Sequence, residues 1–309
     1  MPSSKPPLVV IAGPTASGKS GLALALAQQI GGVIVNADSA QIYRDLRLLS
    51  AAPTDEELSR AEHRLYGVRD GALPCSAADW SDMAKGEIAK IHGEGRVPVL
   101  VGGTGLYLRT LLDGIAPVPA IDPAIRERVR ATPVDKNAAK LRTLDPMAAE
   151  RIRRTDGARI NRALEVMLST GRTLAEWQQE KHGGIAEDVA LRPIILLPPR
   201  KWLYARCDER FGHMIDQGAV AEVEALLARH LNPNLPVMRA IGVGEIADYL
   251  LGRQTLDAAI AAASQATRRY AKRQYTWFAH QPPADWPRIR EALDVDNLPE
   301  ALSLVSPGG

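Results

Sequence analysis

The chain has 309 residues, 46% hydrophobic and 24% charged, with a formal net charge of +2. This is globular composition with room for a large core and a second, smaller unit; so small a charge implies no polyanion partner by itself, so any nucleic-acid argument rests on where the charges lie. No run approaches membrane-spanning length, MPSSKPP lacks a signal-peptide core, and Cys75 and Cys207 show neither CxxC nor His/Cys ligand spacing, so the sequence reads as cytoplasmic with two buried thiols.

The first element is an apolar run that feeds G-x-x-x-x-G-K-S, VVIAGPTASGKS over residues 9–20, and then a helical pattern, KSGLALALAQQI. Strand, phosphate loop and helix in that order define a P-loop. Gly13 and Gly18 permit turns that a side chain would obstruct, and the N–H groups of Gly13, Thr15, Ala16, Ser17 and Gly18 then face the oxygens of a diphosphate. Lys19 adds a point charge, Ser20 offers a hydroxyl to Mg2+, and the helix dipole favours the same anion. Whether the diphosphate belongs to a nucleotide or to another molecule stays open at this point.

Downstream, GGVIVNADS reads as a second strand ending at Asp38, PTDEELSRAEHRLYG as a polar punctuated segment, and SAADWSDMAKGEIAKIHGEG as a helix. RVPVLVGGTGLY reads as a third strand with a glycine turn, followed by the helix YLRTLLDG. Alternating strands and helices predict an α/β fold with a parallel sheet, whose ligands sit at the carboxyl ends of the strands. The phosphate loop, Asp38 and Thr104 all fall at such ends.

Beyond Pro117 and Pro119 the pattern becomes helical and basic. Residues 122–172 hold twelve Lys/Arg against seven Asp/Glu, a local excess of five, so the rest of the chain is net negative. Solvated helix faces would also account for this charge. A strand at 193–199, PIILLPP, returns the chain to the first core, predicting a catalytic core of residues 1–117 and 191–309 and a helical insertion at 118–190. Within the returning part, Arg206 and Arg210 lie one helix turn apart. They suit either ion pairs with Asp208, Glu209 or Asp216 or guanidinium forks to a diphosphate. TRRYAKRQYTWFAH, residues 267–280, sets Arg268, Arg269, Lys272 and Arg273 at helical spacing among aromatics that serve stacking or packing.

Enzymes that hydrolyse nucleotides at a P-loop need an acidic residue after a later strand, but VPVLV ends in Gly102-Gly103-Thr104. Asp38 is the carboxylate placed to face the loop, which favours transfer to an acceptor over hydrolysis. A small-molecule or nucleoside kinase and a non-catalytic P-loop RNA-binding protein are the competing readings.

Six segments in order, GPTASGKS, NADSAQIYRDL, VGGTGLYLRTLL, INRALEV, RAIGVGEI and TRRYAKRQYTWF, resemble the tRNA dimethylallyltransferases of bacterial type. The resemblance implies transfer of a dimethylallyl group from dimethylallyl diphosphate to N6 of the adenosine at position 37, beside the anticodon, by a cytoplasmic monomer using Mg2+. It implies Asp38 as base, with Thr104 and Arg210 beside Lys19 on the leaving diphosphate. The anticodon stem-loop would meet Asp38, Ser39, Ala40, Gln41, Thr104, Arg126, Arg159, Ile160, Asn161, Arg162, Ala163, Arg239, Ala240, Ile241, Gly242, Val243 and Gly244, with Gln41 able to read a base edge. Glu62-His63-Arg64-Leu65 stands where the family commonly has Pro-His-His-Leu, and Val243 where it commonly has Tyr.

Overall fold

The protein is described here by a computed structural model covering residues 5–306; part of the N-terminal stretch read for a leader lies outside the described residues. Along the chain come β1 (Pro7–Ala12), α1 (Lys19–Ile30), β2 (Val33–Asn36), α2 (Asp55–Arg60), β3 (Glu62–Arg64), α3 (Ala77–Gly93), β4 (Pro98–Gly102) and α4 (Gly105–Asp113). Five helices follow, α5 (Pro123–Ala131), α6 (Val134–Leu144), α7 (Pro146–Arg151), α8 (Gly157–Thr170) and α9 (Leu174–Trp177). The chain continues with β5 (Ala190–Leu196), α10 (Arg200–Asp216), α11 (Ala219–Ala228), α12 (Val243–Leu250), α13 (Leu256–His280), β6 (Arg288–Ile289) and α14 (Leu298–Val305). It divides into two compact units, Met1–Leu111 with Ala186–Gly309, and Leu112–Ile185.

The first unit is an α/β fold built on a six-stranded sheet of order β3-β2-β4-β1-β5-β6, parallel throughout. Strand β1 is continuously apolar because helices cover both faces of the sheet, and Leu8 to Ala12 are fully buried. The register sets Ala12 opposite Gly102 and Asn36 opposite Val101, which brings the carboxyl ends of β1, β2 and β4 to one level. Helix α1 buries Leu22, Ala23, Leu24, Leu26 and Ala27 against this core and stops at Gly31, whose left-handed conformation lets its N–H reach the Ala27 carbonyl.

The segment expected to be merely polar and punctuated forms α2 and the edge strand β3. A Thr54/Glu57 capping box starts the helix. The strand has no apolar alternation to reveal it; the Arg64 guanidinium ties it down instead, reaching Glu62 at 2.8 Å, Glu87 at 3.3 Å and Glu94 at 2.8 Å. The departures from the family pattern at Glu62 and Arg64 thus make an ion-pair cluster that joins the sheet edge to α3.

The second unit is all helical. Val129, Leu141, Ile160, Ala163 and Leu164 form its core. Asp122, Asp145 and Asp156 cap α5, α7 and α8, accepting from Ala124, Ala148 and Arg159 N–H groups. Buried Glu165 accepts from Arg130 at 2.9 Å, with Arg126 at 4.0 Å, so part of the basic excess satisfies a buried carboxylate. Arg153, Arg154, Arg159 and Arg162 are exposed. The unit closes on an antiparallel bridge between Ile115 and His182, which places its limits a few residues before the expected 118 and 190.

Candidate active site

The end of β1 passes so close to β5 that a Cβ on Gly13 would lie 2.6 Å from the Leu196 carbonyl oxygen. The loop then turns through Ala16, at φ 62°, a conformation costing an L-residue about 1 kcal/mol or more. Such strain is held where a loop is pre-shaped for a ligand. Ser17 is buried, its hydroxyl finding no partner among the described residues, and Lys19 Nζ donates to the Pro14 carbonyl at 3.1 Å. Desolvation lowers the Lys19 pKa to about 8, with Asp38 opposing the shift and Arg210 adding to it. Arg210 reaches across from α10 to donate to Thr15 Oγ1, and burial depresses its pKa too. Residues Thr15 to Gly21 line a cavity of about 540 Å3 that also meets Arg47, Arg206 and His213.

Asp38 is positioned by the buried Asn36. The Asn36 Oδ1 accepts from Asp38 N–H at 2.7 Å, while its Nδ2 donates to the carbonyls of Asp38 and Leu65, each at 3.0 Å. The Asp38 carboxylate accepts from Ala40 N–H at 3.0 Å, closing a tight turn after β2. Below it, Trp80 is fully buried, stacks on Tyr107 with centroids 4.6 Å apart, and donates its indole N–H to the Asn36 carbonyl at 2.9 Å. This turn lies against the end of β4 so closely that a Cβ on Gly102 would fall 2.0 Å from the Ala37 oxygen.

Thr104 lies beside the Asp38 turn. Its Oγ1 accepts from Ser39 N–H at 3.0 Å and lies 3.3 Å from Ser39 Oγ. Tyr270, from α13, is pushed up in pKa by burial and by Asp38, with its proximity to Thr104 opposing the shift. The Gln41 amide nitrogen donates to the Ser50 and Ala51 carbonyls, at 3.1 and 2.6 Å, tying this residue to its own loop.

A second cavity, of about 320 Å3, opens on the other side of Asp38. Ser39, Ala40, Tyr43, Leu46, Phe211 and Tyr270 line it, with Arg239, Ala240, Ile241 and Arg273. The two cavities share Thr15, Asp38, Ser50, Arg210 and Met214. A cationic, loop-lined chamber and a partly aromatic one therefore meet at one carboxylate. Cys207 is buried beside the second cavity, but Cys75 is only half-buried, because its segment follows the surface turn before α3.

The remaining expected positions divide by exposure. Ile160 and Ala163 lie in the core of the helical unit, so their side chains cannot meet RNA; the caps and packing of α8 require them inside. Asn161 Oδ1 accepts from Asn137 at 2.9 Å. Val243 is buried at the start of α12, and Gly242, at φ 97°, makes the turn that presents Arg239 to Ile241. Gly244 is exposed at that helix start. Arg268, expected on a free basic face, pairs with Asp208 at 2.5 Å, leaving Arg269, Lys272 and Arg273 exposed. Phe278 is core and Trp277 packs on Gly105, so these aromatics serve packing.

A parallel α/β sheet with a phosphate loop and a separate acceptor chamber joined at one carboxylate defines a P-loop group-transfer protein. The family model described as IPP transferase matches residues 41–281. A tRNA dimethylallyltransferase from Erythrobacter litoralis is 61% identical over 92% of this chain and 92% of its own. The chain is also similar to the solved tRNA isopentenylpyrophosphate transferase of Bacillus halodurans, at 33% identity and TM-score 0.71, covering 97% of this chain and 96% of that one. A eukaryotic dimethylallyltransferase solved acting on tRNA matches at 27% identity and TM-score 0.76, over 88% of this chain and 69% of that one. The chain belongs to the IPP transferase family.

Proposed function

We propose that this protein transfers a dimethylallyl group from dimethylallyl diphosphate to N6 of the adenosine beside the anticodon in tRNA, releasing diphosphate. The observation that carries this reading is the junction of the two cavities at Asp38, Thr15 and Arg210. A diphosphate held at the phosphate loop directs its allylic carbon toward the junction, and a base flipped into the second chamber directs its amino group there from the other side. The N6 lone pair is delocalised, so removing its proton as the new bond forms lowers the barrier. Asp38, fixed by Asn36 and Ala40, is the acceptor of that proton. The N6–C bond forms as the C–O bond to diphosphate breaks, and the electron pair leaves with the diphosphate.

Charge then gathers on the departing oxygens. Lys19, Arg210 and the loop N–H groups of Gly13, Thr15, Ala16, Ser17 and Gly18 stabilise it more in the transition state than before it. A diphosphate-borne Mg2+ needs few protein ligands and suits the exposed Ser20 hydroxyl that lines the loop cavity. When bound it would neutralise leaving-group charge. Thr104 acts by holding Ser39 and so the Asp38 turn. Tyr270 offers a face for a flipped base, and Arg239 and Arg273 offer cations to the flanking phosphates.

Arg126, Arg159 and Arg162 of the helical unit, with Arg153 and Arg154, serve the tRNA backbone in this reading. The reading takes the protein to act as a monomer on the cytoplasmic tRNA pool; among the described residues no helix is long and apolar enough to cross a membrane. Incubation of unmodified tRNA with labelled dimethylallyl diphosphate, followed by nucleoside analysis, tests it: label on adenosine is expected, and phosphate on a small molecule would point to a kinase instead.

A further inference from the structure

We propose that Gln274 is a positioning residue that locks the phosphate loop to the acceptor side of the site; this rests on the transferase reading above. Gln274 lies on α13, far along the chain from either loop, and is 6% exposed. Its Oε1 accepts from Thr15 N–H at 2.8 Å, and its Nε2 donates to the Gly103 carbonyl at 2.8 Å. Both partners are backbone groups of fixed polarity, so the amide orientation is determined. An ionised carboxylate can only accept and an apolar side chain can do neither, whereas the primary amide carries an acceptor and a donor side by side at the reach of Gln274.

The bridge joins two halves of the chemistry. On one side Thr15 also accepts from Arg210 through its hydroxyl, so the loop residue under Gln274 holds a leaving-group cation. On the other, Gly103 precedes Thr104, whose hydroxyl holds Ser39, the neighbour of Asp38. The chain Arg210–Thr15–Gln274–Gly103–Thr104–Ser39 therefore connects the two ends of the transfer through one buried amide. Gly103 is built to admit it: a Cβ there would fall 2.2 Å from Gln274 Nε2. A turn farther on, Trp277 fills the space above Gly105, where a Cβ would come within 2.4 Å of the indole, so the same face of α13 packs along the whole GGTG turn.

In-line attack tolerates little error between nucleophile and leaving group, and a displacement on the order of 1 Å costs about 100-fold in rate. Gln274 thus sets the rate of transfer without touching either substrate. Gln274→Met keeps the length, buries no charge and removes both bonds. Its kcat should fall about 10- to 100-fold, with the KM for dimethylallyl diphosphate and the affinity for tRNA each within about threefold of the parent. In a double-mutant cycle with Thr104→Ala the losses should overlap, the double variant lying within about threefold of the weaker single one, because both act on one unit. Amide hydrogen exchange of the ligand-free protein supplies a readout that needs no activity: segments containing Thr15 and Gly103–Thr104 should both exchange faster in the variant.

Parental kcat, losses that multiply, or faster exchange at only one of the two segments overturns the proposal. Should the Met variant fail to fold, Gln274→Glu, which keeps the acceptor for Thr15, is measured in the same way, and a parental kcat there overturns it equally. Absence of transfer by the parent protein would instead remove the transferase reading, and the exchange experiment would still decide whether the bridge couples the two loops.

Discussion

Raising the pH from 7 to 9 should weaken diphosphate binding through Lys19. In the ligand-free protein this ammonium is folded onto the Pro14 carbonyl, beside the half-buried Arg210, and desolvation lowers its pKa to about 8. A bound diphosphate favours the charged form and raises that pKa, so binding takes up a proton once the pH exceeds the free value. Affinity then follows the protonated fraction of the free protein, which falls from about 90% at pH 7 to about 10% at pH 9, a loss of about tenfold, or about 1.4 kcal/mol. The sign is definite: a cation depressed in the free state makes binding strongest below pH 8 and progressively weaker above it. Calorimetric titration with dimethylallyl diphosphate at several pH values measures this, and buffers of different ionisation enthalpy report the proton uptake. Lys19→Arg is the control, because its guanidinium stays charged over the whole range while Cys207 and Tyr270 are unchanged. A flat profile in the parent protein, or the same decline in Lys19→Arg, would refute the reasoning.

Asp38→Asn keeps an acceptor for Ala40 N–H and so keeps the turn; turnover should fall about 10^2- to 10^4-fold with both substrates still bound, and near-parental turnover in steady-state assays would remove Asp38 as base. Arg210→Ala should lower kcat or raise the KM for the diphosphate while tRNA affinity changes little, and a selective loss of tRNA affinity in filter binding would place this arginine on the other substrate. Reversal of the exposed Arg153 and Arg154 to Glu should weaken tRNA binding and flatten its logarithmic salt dependence by about 0.7 to 0.9 per lost phosphate contact, leaving diphosphate titrations unaltered. An unchanged slope would shift the RNA path to Arg269, Lys272 and Arg273.

The phosphate loop was legible because its chemistry needs glycines at set spacing between an apolar strand and a helix, and Asp38 because a strand end next to that loop is where an acceptor-facing carboxylate belongs. What escaped was set by partners distant along the chain. Edge strand β3 has no apolar period, being held by ion pairs of Arg64 to Glu87 and Glu94 on and after α3. The bonds of Thr104 to Ser39 and of Gln41 to its own loop carbonyls depend on partners no local pattern reveals. Ile160 and Ala163 sit within a basic motif yet face inward, a result of helical period rather than composition. Gln274 stood inside a segment read for its cations and aromatics; the adjacent glycines of VGGTG were its only signal, marking a backbone that something must approach closely.

In the proposed reaction one carboxylate joins a diphosphate chamber to an acceptor chamber for prenyl transfer to tRNA. The most direct test is a single-turnover reaction of unmodified tRNA with labelled dimethylallyl diphosphate, digested to nucleosides and followed by mass, run beside Asp38→Asn. The expected result is a five-carbon gain on the adenosine beside the anticodon with stoichiometric diphosphate release, and its slowing by on the order of 10^2-fold or more in the variant. Release of diphosphate without label on tRNA, or label appearing at the parental rate in Asp38→Asn, would contradict it.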